Sequence, residues 1–179
     1  ALLVSWDGPI ATVTINRAEQ RNAMTMAMWQ GMAGLMQELG DDHTVRVVVL
    51  RGAGERAFVA GADIAEFDRL LADSEQMHQY PIAVEACMSS VETVPKPVIA
   101  MVNGVAMGGG CELATVCDLR IAADNAKFGI PACRLGIVIT FQDTQRLTDL
   151  VGPAHAKDLL FTGRVLDAAE ALQLGLVNR

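Results

Sequence analysis

An α/β fold is what this chain of 179 residues predicts, and three observations predict it. Strand-like apolar runs alternate with segments of helical periodicity from one end to the other. Two of the strand-like runs lead into glycine-rich stretches, Phe58-Val-Ala-Gly-Ala-Asp-Ile64 and Asn103-Gly-Val-Ala-Met-Gly-Gly-Gly-Cys-Glu-Leu113. Each of these reads as a short apolar strand, small residues that bare the backbone, and the first turn of a helix. Finally, 51% of the residues are hydrophobic, enough for one domain over residues 1–179 with a sizeable core.

The elements follow in order. Leu2–Trp6 and Ile10–Asn16 flank Asp7-Gly8-Pro9, a hairpin signal. Thr25 caps a helix to about Leu39 that puts Met28, Met32, Leu35, Met36 and Leu39 on one face, and Asp41-Asp42 breaks it. Val45–Leu50 reads as a buried strand, Gly52-Ala-Gly54 as a turn, and Phe58–Ala60 as a short strand. A helix from Asp63 to about Leu71 opens on a D-x-x-E capping box, Asp63 with Glu66. The next helix spans about Met77 to Val94, with Pro81 near its start and Pro95-Lys-Pro97 as its stop. Val98–Val102 is a buried strand, and the second glycine stretch opens a helix to about Thr115. Leu119–Ala122 and Lys127–Gly129 read as short strands; Asp143–Val151, Ala154–Phe161 and Ala168–Leu174 read as helices.

Composition narrows the function. A net charge of −7 argues against a nucleic-acid surface, so an anionic ligand needs a local basic pocket. No apolar run is long enough to span a bilayer and no signal-like segment opens the chain, which points to a soluble, cytoplasmic protein without membrane partners. Cys87, Cys111, Cys117 and Cys133 form no CxxC pair, so reduced thiols are expected. His43, His78 and His155 lack ligand spacing, and no metal site is expected. A GxSxG elbow is absent too, which disfavours a Ser–His–Asp hydrolase. Ala1 already lies within a strand-like pattern and the chain stops as a new apolar segment begins, so the sequence reads as a piece of a longer one.

The glycine stretches carry the chemistry. A helix start offers unpaired N–H groups and the positive end of a dipole. Two such starts converging on one point can grip an oxygen as negative charge develops on it. A packing contact needs one glycine, whereas Gly108-Gly-Gly110 supplies three at an entropic cost, which favours a ligand approaching the backbone. Glu112 could be merely a first-turn carboxylate welcomed by the dipole. Its neighbours Cys111, Leu113, Ala114 and Val116 are apolar, however, and such surroundings raise a carboxyl pKa into the range useful for proton transfer. A rival reading takes Gly52-Ala-Gly-Glu-Arg-Ala57 as a dinucleotide fingerprint. That requires a helix beginning at the glycines, and Ala57-Phe-Val-Ala60 looks extended instead.

Taken together, these residues resemble the crotonase superfamily, which contains the enoyl-CoA hydratases and isomerases. The likeness lies in Ile15-Asn-Arg17 with Asn22-Ala23, Ala60-Gly-Ala-Asp-Ile64, the Asn103–Leu113 block, Asp118-Leu-Arg-Ile-Ala122, Lys127-Phe-Gly129 and Thr144-Gln-Arg-Leu147. It continues through Phe161-Thr-Gly163, Ala168, Glu170-Ala171 and Gly175-Leu-Val177, so it covers essentially the whole chain. The resemblance implies a spiral of β-β-α turns, with helices beyond Arg179 completing the pocket and the contacts of a trimer or pair of trimers.

It also implies site roles. The backbone N–H groups of Ala62 and Gly109 would hold the thioester oxygen of an acyl-CoA, making an enolate accessible. Ala60, Asp63, Ile64 and Gly108 would contact the substrate, with Arg17, Arg21 and Arg56 as candidates for the CoA phosphates. Coenzyme A is then part of the substrate, and no separate cofactor is implied. Glu112 matches the first of two hydratase glutamates, the one that helps hold and activate water. The second normally follows the proline of Phe-Gly-x-Pro, but here Phe128-Gly-Ile-Pro131 is followed by Ala132. The glycine-rich loop before Thr-Gln-Arg-Leu has become Ile139-Thr-Phe-Gln-Asp143, and Ala65 stands where relatives often have lysine. Hydration of a 2-enoyl-CoA is the leading expectation. A one-carboxylate reaction such as double-bond isomerisation or decarboxylation, and a non-catalytic acyl-CoA binder, stand as alternatives. Thr140, Gln142 and Asp143 are candidates to occupy the space left by Ala132.

Overall fold

The computed structural model describes residues 2–70 and 72–179. Strands β1 (Leu2–Asp7) and β2 (Ile10–Ile15) form an antiparallel hairpin turned at Gly8, whose φ of +55° suits glycine. Helix α1 (Met26–Asp41) follows, its start capped by the Thr25 hydroxyl, which accepts from the Met28 N–H at 3.3 Å. The expected face is buried apart from the half-buried Leu35, and Trp29 joins it. The aspartates do not break the helix where expected: Asp41 is still helical and Asp42 is the C-cap.

Three successive passes then repeat one pattern. β3 (Val47–Gly52) leads to β4 (Ala57–Val59) and on to α2 (Ile64–Leu70) and α3 (Ser74–Thr93). β5 (Val98–Val102) leads to β6 (Val105–Met107) and α4 (Gly109–Thr115). β7 (Leu119–Ala122) leads to β8 (Lys127–Gly129), α5 (Ala132–Leu135) and α6 (Phe141–Thr162). The first strand of each pass joins a five-stranded sheet, β1-β2-β3-β5-β7, parallel beyond the hairpin. The second strand joins another sheet, β4-β6-β8-β9, closed by antiparallel β9 (Leu166–Asp167) ahead of α7 (Ala168–Gln173). This is the expected spiral of β-β-α turns.

Several local expectations need correction. β3 buries alternate residues, with Val48 and Leu50 inside and Val47 and Val49 half-buried, so one face of the strand stays partly open to solvent. α3 begins three residues before the expected Met77, because Asp73 accepts from the N–H groups of Glu75 and Gln76. Pro81 therefore sits inside the helix and leaves the Met77 carbonyl without its usual donor. α6 starts at Phe141 rather than Asp143, with Thr140 as its cap, and its expected division appears at Gly152, whose φ of +77° is not helical. The short α5 and β9 were not anticipated; four- and two-residue elements carry too little periodicity to register. The capping box is half formed: Asp63 accepts from the Glu66 N–H at 3.1 Å, but the Glu66 carboxylate turns to the Met26 N–H at 2.7 Å. The proposed helix end at Leu71 lies outside the described residues.

The core gathers between the sheets and α1, α3 and α4, with Trp29, Phe58, Phe128, Met88 and Leu113 fully buried. Two polar side chains clamp it. Buried Asn22 accepts from the Arg17 N–H at 3.0 Å and donates to the carbonyls of Ala53 and Ala57, tying the loop after β2 to the β3–β4 connection. Arg120 donates to the carbonyls of Leu176 and Ala114, joining the end of α4 to the tail. Of the cysteines, all unpaired, Cys87, Cys111 and Cys117 are buried and Cys133 is exposed. No described helix is long and apolar enough to cross a membrane.

The tightest approach is that of α4 to β4. A Cβ on Gly110 would lie 2.1 Å from the Val59 carbonyl oxygen and 2.7 Å from its Cβ, so only glycine lets the helix start lie on that strand. Gly110→Ala is expected to lower stability by at least about 1–3 kcal/mol, the usual cost of overpacking. Urea unfolding checks this; an unchanged midpoint would mean that the contact gives way freely.

Candidate active site

Two backbone segments with unpaired donors meet at one cavity. After β4 the chain passes Gly61, at φ +104°, and forms a single bridge to Met24. In that bridge the Gly61 carbonyl accepts from the Met24 N–H at 2.8 Å and the Asp63 N–H donates to the Met24 carbonyl at 2.9 Å. A trans peptide sets its N–H opposite its C=O, so the Ala62 N–H points away from Met24. At α4 the Gly108 carbonyl accepts from the N–H groups of Cys111 and Glu112, facing along the helix. The Gly109 N–H accordingly points out of the helix start. Among the described residues neither amide has a hydrogen-bond partner. The two segments are adjacent, a Cβ on Gly61 falling 4.0 Å from the Gly109 nitrogen. Ala62, Gly108 and Gly109 all line one cavity of about 370 Å³.

The three consecutive glycines have three separate reasons. Gly110 is required by Val59, as described above. Gly108 adopts φ 52° and ψ −126°, a conformation that side-chain-bearing residues avoid, and a Cβ there would meet nothing within 4 Å. Gly109 faces the Trp29 ring, 3.3 Å from where its Cβ would be.

Glu112 lies one turn into α4 with its carboxylate in the same cavity, Oε2 3.8 Å from that Gly109 Cβ position. Burial pushes its carboxyl up to about 7; the charge of Asp143 adds to the effect and that of Arg146 opposes it. The surroundings are chiefly apolar, with Phe67, Met77, Val84 and Ile130 among the lining residues. Tyr80 also lines the cavity and accepts a hydrogen bond from the Trp29 indole at 3.2 Å.

Ala132 is buried in the cavity wall, so its methyl occupies the place where a second carboxylate was expected. Of the three candidates for that space, Thr140 and Asp143 line the cavity and Gln142 does not. The Thr140 hydroxyl donates to Asp143 Oδ2 at 2.6 Å, and Arg146 pairs with Asp143 Oδ1 at 3.0 Å. Arg146 is braced in turn by Glu85 at 3.0 Å and Glu92 at 2.8 Å, both on α3.

On the other side of Ala62 lies an open groove of about 380 Å³, lined by Arg21, Ala60, Asp63 and Ile64 as well as Ala62. Ala62 alone is shared by groove and cavity, so a ligand following the groove arrives at the two amides. Arg17 is not free to serve it as a charge: it pairs with Asp63 at 2.7 Å and donates to the Ala23 carbonyl at 2.7 Å. That contact holds the Asp63 carboxyl below its ordinary range. Arg56 is exposed and lines neither space; its carbonyl accepts from the Val105 N–H. Gly52 ends a strand and no helix follows the Gly52–Ala57 segment, which removes the structural basis of a dinucleotide loop.

Sequence reading passed over Trp29, Tyr80 and Arg146 as site residues. Trp29 sits beside a helical stripe that reads as core, and Tyr80 lies in a helix for which no face was singled out. Arg146 lay within a quoted motif, yet two of its three carboxylate partners, Glu85 and Glu92, come from the distant helix α3 and leave no local signal.

Comparison with known proteins agrees with this architecture. The sequence model described as enoyl-CoA hydratase/isomerase matches residues 6–179. The short-chain-enoyl-CoA hydratase of Clostridium acetobutylicum is 44% identical over 178 residues, 99% of this chain and 67% of that protein. The crotonyl-CoA hydratase of Syntrophomonas wolfei is 42% identical over 178 residues, 99% of this chain and 68% of the relative. Among solved structures, an enoyl-CoA hydratase/carnithine racemase from Magnetospirillum magneticum superposes with a TM-score of 0.94 at 41% identity, covering 99% of this chain and 67% of its own. This chain thus spans about two thirds of the length of these relatives. With the match running through both glycine stretches and both sheets, the chain belongs to the enoyl-CoA hydratase/isomerase family and has the crotonase fold.

Proposed function

We propose that this protein is an acyl-CoA enzyme that hydrates 2-enoyl-CoA thioesters. The single observation that carries the reading is the placement of two unshared backbone amides and a buried carboxyl group on one apolar cavity. The N–H groups of Ala62 and Gly109 act as an oxyanion hole for the thioester oxygen, polarising the conjugated double bond so that its β-carbon accepts water. Glu112, poised near neutrality, exchanges the proton that the enolate needs. The groove past Ala60, Asp63 and Ile64 takes the pantetheine arm. Carbonyl polarisation and proton transfer complete the reaction, so no separate cofactor enters.

The hydratase names of the similar Clostridium acetobutylicum and Syntrophomonas wolfei proteins support water addition to short acyl chains. The alanine at position 132 favours a second reading, a one-carboxylate double-bond isomerisation using the same amides and Glu112. We place the protein in fatty acid metabolism in the cytoplasm, assembled as a trimer or pair of trimers. The half-exposed apolar residues on the outer strands, Leu3, Trp6, Leu119 and Ile121, support assembly. Light scattering of the full-length protein is expected to give a multiple of three protomers; a monomer would refute the assembly.

Loss of crotonyl-CoA absorbance tests the activity. Wild-type protein is expected to turn it over, and Glu112→Gln to lower kcat by about two to four orders of magnitude. A normal rate in Glu112→Gln would remove that residue from the chemistry.

The raised Glu112 carboxyl also links pH to stability. Its folded pKa of about 7 exceeds the ordinary value of 4.5, so the folded state binds the proton more tightly than the unfolded state. The stabilising contribution is therefore whole below about pH 4.5 and is lost as pH rises through about 7. Glu112→Gln lacks this loss and is expected to gain on wild type by on the order of 2–3 kcal/mol between those limits. Denaturant unfolding at pH 4.5 and pH 8 measures it; a constant gap between the two proteins would exclude the linkage.

A further inference from the structure

A second acid faces Glu112 across the cavity. Asp143 is one of the few charged side chains buried in this protein, 7% exposed, and with Glu112 it lines the cavity that the two amides enter. A capping role alone explains part of its geometry. The Asp143 N–H donates to the Thr140 hydroxyl at 3.1 Å, and the hydroxyl donates back to Oδ2. Such a cap is worth roughly 1 kcal/mol and requires no buried charge. Burying a carboxylate is costly unless it is paired, and here an arginine held by two further carboxylates from α3 supplies the pairing. Glu85, the other lining carboxylate, is 40% exposed at the rim. Among the described residues that line the cavity, Asp143 is thus the one carboxylate shut off from solvent besides the half-buried Glu112.

We propose that Asp143 is a catalytic residue, the base toward the adding water, and that it makes up for the carboxylate missing at Ala132. The proposal rests on the hydratase reading given above. Two carboxyl groups in one site take opposite roles when their settings differ. Arg146 and the Thr140 hydroxyl hold the Asp143 side chain in place, and its charge adds to the burial that keeps the proton on Glu112.

The step balances. A lone pair of the water oxygen forms the bond to the β-carbon, and the double-bond pair moves into the thioester as an enolate whose oxygen meets the amides of Ala62 and Gly109. The proton released from water goes to Asp143. The enolate then takes the Glu112 proton at its α-carbon, and the carbonyl reforms. Asp143 is left protonated and Glu112 ionised; transfer of that proton through solvent restores the starting state.

The assignment separates two half-reactions, which gives its test. Wild type and Asp143→Asn are compared in crotonyl-CoA hydration and in exchange of the α-protons of butyryl-CoA in heavy water, followed by NMR. The exchange requires the amides and Glu112 but adds no water. Asp143→Asn is expected to lose about 100-fold or more in hydration while its α-proton exchange stays within about threefold of wild type, and Glu112→Gln to lose both. Asp143→Ala is expected to regain hydration when formate is added. Near-normal hydration by Asp143→Asn overturns the proposal. So does loss of both reactions in that variant, if formate also restores nothing to Asp143→Ala. Failure of wild type to hydrate crotonyl-CoA defeats the hydratase reading and the Asp143 assignment with it, whereas the other failures leave that reading standing.

Discussion

Where α4 begins, its backbone lies directly on the end of β4, and the absence of a side chain at Gly110 is what allows it. The Val59 carbonyl occupies the space a methyl would need. Everything functional in the molecule is referred to that contact. It sets the Gly109 amide beside the Gly61–Ala62 peptide, and it points the first turn of α4, with Glu112, into the cavity that both segments border. The spiral supplies the rest of the register. β4 and β6 are neighbouring strands of one sheet, so the loops that leave them emerge side by side. Asn22 and Arg120 then pin these passes from outside the cavity, using hydrogen bonds to backbone carbonyls that apolar packing alone leaves unmet.

The electrostatics of the cavity follow from how little of it is polar. Glu112 has apolar neighbours and, among the described residues, no ion pair, so burial holds its proton above the usual carboxyl range. Asp143, in the helix after the one that opens at Ala132, is flanked by a hydroxyl and a guanidinium. One fold thus gives two similar groups contrasting settings. The contrast comes from α3 as much as from α6, because Glu85 and Glu92 hold Arg146 in place.

Much of this was legible in the sequence because it is local. The apolar runs marked most strands within two residues, and Thr25 and Asp63 marked helix starts by side-chain capping. The glycine stretches announced a bared backbone, and the Ala60–Ile64 and Asn103–Leu113 blocks carried the family likeness. What escaped depends on partners distant in the chain. Glu66 abandons its local capping bond for the Met26 amide, forty residues away. Arg17 looked available for phosphate until its pairing with Asp63 was seen. The glycine triplet was read as one signal for a ligand, whereas Gly110 answers to a strand, Gly108 to its own torsion angles and Gly109 to the Trp29 ring.

The four thiols divide along the same line between interior and surface. Burial pushes Cys87, Cys111 and Cys117 up to about 12, which leaves them almost wholly as thiols at neutral pH and inert to electrophiles. Cys133 alone is exposed, and it directly follows Ala132 in the cavity wall. Nature has in effect left a single handle for maleimide chemistry next to the reaction chamber, so a fluorophore attached there would report filling of the chamber without any engineered cysteine.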